Sequence, residues 1–473
     1  MLADLLEKNI VEKLDEEPTN SQKLLIKQVS NFILNSPDDE VFVITGYAGT
    51  GKTTVISAII NVLGDFNTKT VLLAPTGRAS KVLANFSGKS AYTIHKKIYK
   101  QKSSKDGFGK FVLGKNLSSG IIFFIDEASM ISGTQNELSI FGSGNLLDDL
   151  LEYVYTGIRC KLILIGDPAQ LPPVNFSESP ALYNENIKSK GFTVSSTCLT
   201  DVVRQSQTSG ILYNATLTRK LITSGIPKLP KFKIDGFSDI ISLSGSDLIN
   251  ELDSCYEKYG IEETIVVTRS NKRANLYNNG IRKSILFRDE QISVGDYLMV
   301  VKNNYFWLAN DEELNFIANG DIVQVVKIGK HEEKYGFHFA NLKICLLDID
   351  NREIEVKVVL ETLEIEGASL SSDENKKLFY SVYEDFQHIK PKRAGYVSVR
   401  NDPYFNALQV KFAYAVTCHK AQGGQWKAVF IDQGYFTADM MSMEYLRWLY
   451  TAITRATKKL YLVNFNNIFF ENE

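Results

Sequence analysis

Gly46-Tyr47-Ala48-Gly49-Thr50-Gly51-Lys52-Thr53 is the stretch on which the reading of this chain turns. An apolar run, 41–45, precedes it and a helical pattern begins at Thr53, so the glycines sit in a strand–loop–helix connection. Glycines let backbone N–H groups converge on phosphate oxygens, and the helix N-terminus adds a partial positive charge. In such a loop Lys52 is expected to reach the β- and γ-phosphates of ATP and Thr53 to ligate Mg²⁺. Gly46, Gly49, Thr50, Gly51 and Thr54 complete the expected nucleotide cradle.

Further apolar runs at 71–74, 121–125 and 162–165 are short and end on Gly, Pro or Asp. That is the pattern of parallel strands buried on both faces. The run at 121–125 ends in Asp126-Glu127. Asp126 is suited to hold Mg²⁺ and Glu127 to polarise an attacking water as general base. The run at 162–165 leads into Gly166-Asp-Pro-Ala-Gln170-Leu-Pro-Pro-Val174, where Gln170 is placed to sense the γ-phosphate.

A second set of strand-like runs lies at 264–268, 413–416, 428–431 and 460–464. Between its members, strand-like runs at 292–301, 321–328, 342–348 and 354–360 are bounded by turn residues and read as an inserted β-domain. The expected layout is α/β: a first parallel-sheet domain over 1–187 with a hairpin insertion at 97–120, a second over 188–285 and 406–473, and the inserted β-domain over 286–405.

The chain has 473 residues, enough for several cores. No apolar run reaches the roughly 18 residues that span a bilayer, so no membrane partner is expected. The acidic start, 1–18, lacks the pattern of a signal peptide. Five scattered cysteines form no C-x-x-C pair, which argues against a disulfide framework or zinc site and for a reducing cytoplasm. Basic and acidic residues number 53 and 55, so a nucleic-acid site must be a local groove rather than a basic surface.

Taken in order, these motifs resemble those of superfamily 1 helicases, and the 166–174 segment is similar to the RecD-like and Dda-like branch (superfamily 1B), which moves 5′ to 3′. The resemblance runs from Gln22 to Arg455. It implies two RecA-like domains, an SH3-like inserted module, ATP and Mg²⁺ as ligands, and single-stranded DNA and single/double-strand junctions as partners. A monomer is expected, with single-strand-binding protein or repair factors as possible associates. The resemblance makes Gln22 the adenine reader, and makes Arg204 and Arg455 the arginines that face the γ-phosphate from the second domain. Gly423, with Gln422, is expected near the cleft.

The same resemblance assigns DNA-backbone contacts to Pro75, Thr76 and Arg78, to Thr93 and His95, and to Thr417 and His419. Trp426 is open between base stacking and core. Phe108 and Phe111, on the first insertion, are candidates for the pin that splits the duplex. Tyr305, Phe306 and Trp307 are open between core and base contact. Asp348 and Asp350 with Glu355 and Lys357 imitate a metal-nuclease pattern but also alternate as an ordinary strand. An RNA motor, an ATP-gated clamp that does not unwind, and a subunit of a larger nuclease complex are the alternatives.

Overall fold

The computed structural model describes residues 2–102, 110–134, 141–203, 208–308, 316–347 and 351–471. Six parallel strands form the first sheet, in the order Ala91–Thr93, Thr70–Ala74, Ile122–Ile125, Lys161–Gly166, Glu40–Gly46, Thr193–Leu199. Ile122–Ile125 is buried at every position and Lys161–Gly166 at all but its first, which is why both read as unbroken apolar runs. The sheet's last strand pairs with Glu40–Gly46 along its whole length. The first domain therefore continues past residue 187, where its end was expected. Thr193–Leu199 holds two threonines and two serines among its seven residues, and this edge-strand composition hid it.

The second sheet is also parallel: Ala415–Thr417, Thr264–Thr268, Trp426–Asp432, Ala456–Val463, Ile240–Leu243. Two parallel-sheet α/β domains are the arrangement expected of two RecA-like units. Between Thr264–Thr268 and Ala415–Thr417 the chain builds a small closed barrel of Tyr297–Val300, Ile322–Lys334, Phe337–Leu346, Arg352–Val359 and Leu408–Phe412. Leu408–Phe412 closes the barrel against both Tyr297–Val300 and Arg352–Val359. The insertion thus reaches beyond 405, and the strand expected at 413–416 starts at Ala415. Two helices inside it, Ser372–Glu384 and Lys392–Arg400, cover one end of the barrel through Leu378, Val382 and Val399. The first insertion is a two-stranded hairpin, Tyr99–Lys102 with Lys110–Leu113.

Candidate active site and nucleic-acid interface

The glycine loop joins the strand Glu40–Gly46 to the helix Lys52–Asp65, the strand–loop–helix context expected from the sequence. Gly49 and Gly51 take φ of +76° and +71°, which only glycine adopts without strain. Gly51 is the N-cap of the helix Lys52–Asp65, so the helix start faces the loop interior. Lys52 Nζ donates to Gly46 O at 3.0 Å. Its charge also acts on the carboxylates of the half-buried Asp126 and the buried Asp167, pulling down pKa values that desolvation raises. For Asp126 the neighbouring Glu127 adds to the upward shift.

Gln22 lies against the loop, but its amide is committed. Nε2 donates to Thr50 O at 2.9 Å, and Oε1 accepts from Thr19 N at 2.9 Å. Thr19-Asn-Ser-Gln22 is a capping box for the helix Asn20–Asn35. Reading adenine would require these bonds to exchange. Thr53 is half-buried at the helix start, and Thr54, one residue on, is exposed. Gln170 is buried and its Oε1 has no hydrogen-bond partner among the described residues. A buried acceptor left alone costs free energy unless a ligand completes it. Together with the left-handed glycines, this orphan fits a bound nucleotide with its metal ion.

The second domain closes over this site. Arg455 Nη1 lies 3.8 Å from Glu127 Oε1, and the guanidinium is held by Thr451 O, Gly424 O and Thr454 Oγ1. Arg204 lies outside the described residues. Sequence reasoning missed the helix Met443–Ile453 as a clamp. Tyr450 Oη accepts from Ala48 N at 2.9 Å and donates to Asp167 Oδ2 at 2.6 Å. Thr451 Oγ1 accepts from Leu171 N at 2.9 Å, and Arg447 donates to Pro168 O. The spacing 447, 450, 451 puts these side chains on one helical face, a signal the sequence did carry.

The 166–174 loop joins two sites. Asp167 and Gln170 stand in the cleft, whereas Pro172, Pro173 and Val174 line a groove of about 730 Å³ between the two domains and the barrel. Thr76 and Arg78 from the first domain, His419 and Gln422 from the second, and Asn319 from the barrel also line it. Thr76 caps the helix Gly77–Ser87, its Oγ1 accepting from Ala79 N at 3.2 Å, and Pro75 sets the bend before it. Gln422 Nε2 donates to Leu171 O at 2.7 Å, tying the groove to the same loop.

Several expected contacts sit elsewhere. Trp426 is 3% exposed and packs in the second domain's core, with the Arg78 guanidinium 3.9 Å above its ring. That answers the question left open: it is core, not a base platform. Gly423 abuts Thr76 and Ala79, where a Cβ would come within 2.8 Å of Ala79 Cβ, so it serves the domain contact on the groove side rather than the P-loop. Thr417, half-buried, precedes the groove residues without lining the groove itself.

Thr93 caps the short helix Ile94–Ile98. His95 turns its ring onto Phe141, at 4.8 Å, and Tyr99, and burial lowers its pKa to about 4. Phe111, 4% exposed, stacks among Phe141, Tyr305 and Phe316. It therefore cements the hairpin to the connection between the barrel's first two strands and does not project as a pin. Phe108 lies outside the described residues. Trp307 donates to Asn406 O at 2.9 Å and packs at the barrel's core. Lys357 is engaged by Glu332 and Asn341, while Asp348 and Asp350 lie outside the described residues.

Residues 21–220 match the family model described as an AAA domain, and 412–463 match the UvrD-like helicase C-terminal domain. An uncharacterized protein of Acanthamoeba polyphaga mimivirus is 25% identical over 533 residues, covering 93% of this chain and 98% of its own. The RecBCD enzyme subunit RecD of Buchnera aphidicola is 26% identical, over 91% of this chain and 71% of its own length. The ATP-dependent DNA helicase dda of Enterobacteria phage T4 is 28% identical, over 60% and 62%. With these matches set on the paired parallel-sheet domains and their shared cleft, the chain is similar to superfamily 1B helicases of the RecD-like and Dda-like branch.

Proposed function

We propose that the protein is an ATP-dependent DNA helicase that moves 5′ to 3′ along single-stranded DNA and opens duplexes. The observation that carries this reading is the contact between Arg455 of the second domain and Glu127 at a strand end of the first, 3.8 Å apart. Catalytic groups supplied by two domains make turnover depend on the distance between those domains, which is what a motor needs.

In this reading Lys52 neutralises phosphate charge and Glu127 accepts the proton of the attacking water. Arg455, joined by Arg204, stabilises charge on the transferred phosphoryl group when the cleft is closed. Thr53 and Asp126 would hold Mg²⁺, which would supply positive charge to offset that of the phosphates. Gln170 registers the γ-phosphate, and the 166–174 loop carries its position to Pro172–Val174 in the groove. Thr76, Arg78 and His419 grip the strand backbone there. Phosphate contacts carry no base identity, so sequence preference is weak and salt dependence strong. Direction of travel rests on the likeness to the RecD-like and Dda-like branch. The barrel serves as the SH3-like module of that branch. We further propose a monomer acting in the cytoplasm on single-strand and junction DNA.

The test is unwinding of two duplexes, one with a 5′ and one with a 3′ single-stranded tail, with ATP and Mg²⁺. Opening of the 5′-tailed duplex alone is expected. Opening of the 3′-tailed one alone overturns the direction. Opening of neither, with ATP hydrolysis still stimulated by DNA, makes the protein a clamp or translocase.

A further inference from the structure

Two lysines on the groove's walls are already satisfied by oxygens of the inserted barrel, and a barrel carboxylate lies against a helix start beside them. The Asp321 carboxylate presses against the first turn of the helix Gly77–Ser87: a Cβ on Gly77 would stand 2.6 Å from its Oδ1. Lys81 Nζ, one turn along the same helix, donates to Leu347 O at 2.8 Å. Lys420 Nζ, from the second domain, donates to Asn319 Oδ1. Lys81, Lys420, Asn319 and Leu347 all line the groove. Asp321 is buried, and its Oδ2 is fixed by Ala318 N at 2.7 Å, so the carboxylate is aimed rather than adrift.

A helix start and two lysines are donors of the kind that bind phosphodiester oxygens. Here one carboxylate, one amide oxygen and one carbonyl stand in for those oxygens. We propose that the Gly77 turn, Lys81 and Lys420 are subsites for backbone phosphates of a nucleic-acid strand, and that Asp321, Leu347 and Asn319 of the barrel occupy them in the strand-free protein. Barrel and strand then compete for one surface, and the barrel must give way for the strand to seat. This inference rests on the proposed nucleic-acid function of the groove. Burial lowers the Lys420 amine to about 8, and a phosphate at that position would favour its charged form.

The competition reduces apparent affinity by the fraction of molecules in which the barrel has moved aside. Binding of a fluorescein-labelled oligothymidine to the nucleotide-free full chain, followed by anisotropy across a salt series and by stopped flow, reads it out. Lys81→Ala and Lys420→Ala should each weaken binding and flatten the log–log salt slope by about 0.7. Asp321→Asn keeps an oxygen for Ala318 N, and Asn319→Ala changes no charge. Each should tighten binding by about fivefold, mainly through faster association. Glu353→Gln removes an equal charge from the barrel away from the groove, where Glu353 pairs with Lys343, and should leave binding unchanged. Wild-type affinity in both Asp321→Asn and Asn319→Ala overturns the competition alone. Tightening by Glu353→Gln as large as that by Asp321→Asn also overturns it, as a general charge effect. Salt slopes unchanged in both lysine variants overturn the subsites. Failure of every form to bind overturns the nucleic-acid reading itself.

Discussion

Tyr450→Phe deletes one oxygen and two hydrogen bonds, both of them between domains. The hydroxyl accepts from Ala48 N at 2.9 Å and donates to Asp167 Oδ2 at 2.6 Å. Tyr450 and Asp167 are each 1% exposed, so water does not replace what is lost. A neutral hydrogen bond nets about 1 kcal/mol and one to a charged group about 1.5–3, so the variant should lose on the order of 3 kcal/mol. Asp167 keeps Ala169 N on its other oxygen, which limits the damage to the interdomain side. Urea titration followed by the fluorescence of the buried Trp426 and Trp448 reads the change in the second domain, where both pack. With slopes of about 1–3 kcal/mol per molar urea, the midpoint should fall by about 1 M or more. Combining Tyr450→Phe with Asp167→Asn should show a coupling of about 1.5–3 kcal/mol, since both ends of one bond are altered. A loss below about 0.5 kcal/mol, the scatter of ordinary surface substitutions, or strict additivity of the pair, would refute the clamp.

Glu127→Gln should bind ATP normally and lower kcat by about 10²–10⁴-fold, the usual worth of a general base; wild-type turnover removes Glu127 from that role. Lys52→Ala should abolish steady-state ATP hydrolysis, and full residual activity would sink the nucleotide site. Arg78→Ala removes the guanidinium stacked on Trp426, a contact worth about 1–2 kcal/mol when shielded from water; a shift in tryptophan emission should accompany weaker DNA binding, and loss of neither would place Arg78 outside both roles. His95 is held neutral by burial, with Asp149 pulling weakly the other way. Its folded pKa, about 4, lies below the unfolded 6.5. Its contribution is therefore full above pH 6.5 and drains away as pH falls toward 4. His95→Gln should flatten the fall in urea midpoint between pH 7 and 5, and parallel curves for the two proteins would contradict the assignment.

The amino-acid sequence alone determined the elements whose chemistry is local. A phosphate loop needs its glycines, lysine and hydroxyl within eight residues, and buried parallel strands announce themselves as short apolar runs ending at a turn. Hence the cradle at Gly46–Thr53, the carboxylates at Asp126 and Glu127, and the interrupted second domain were all legible. Where a side chain points between domains was not. Phe111 and His95 carry the types expected of a pin and a phosphate contact, yet partners far away in the chain, Phe141, Tyr305 and Phe316, draw Phe111 into an aromatic core, and Phe141 takes the His95 ring. Leu408–Phe412 joined the barrel, and Thr193–Leu199 the first sheet, because strand pairing is decided by which edge is open rather than by composition. Tyr450 and Asp321 are unremarkable in sequence. Only the tertiary structure brings a hydroxyl onto the Ala48 amide and a carboxylate onto the Gly77 turn, because burial and distance between remote segments set the strength of a polar contact, and neither quantity is written in residue order.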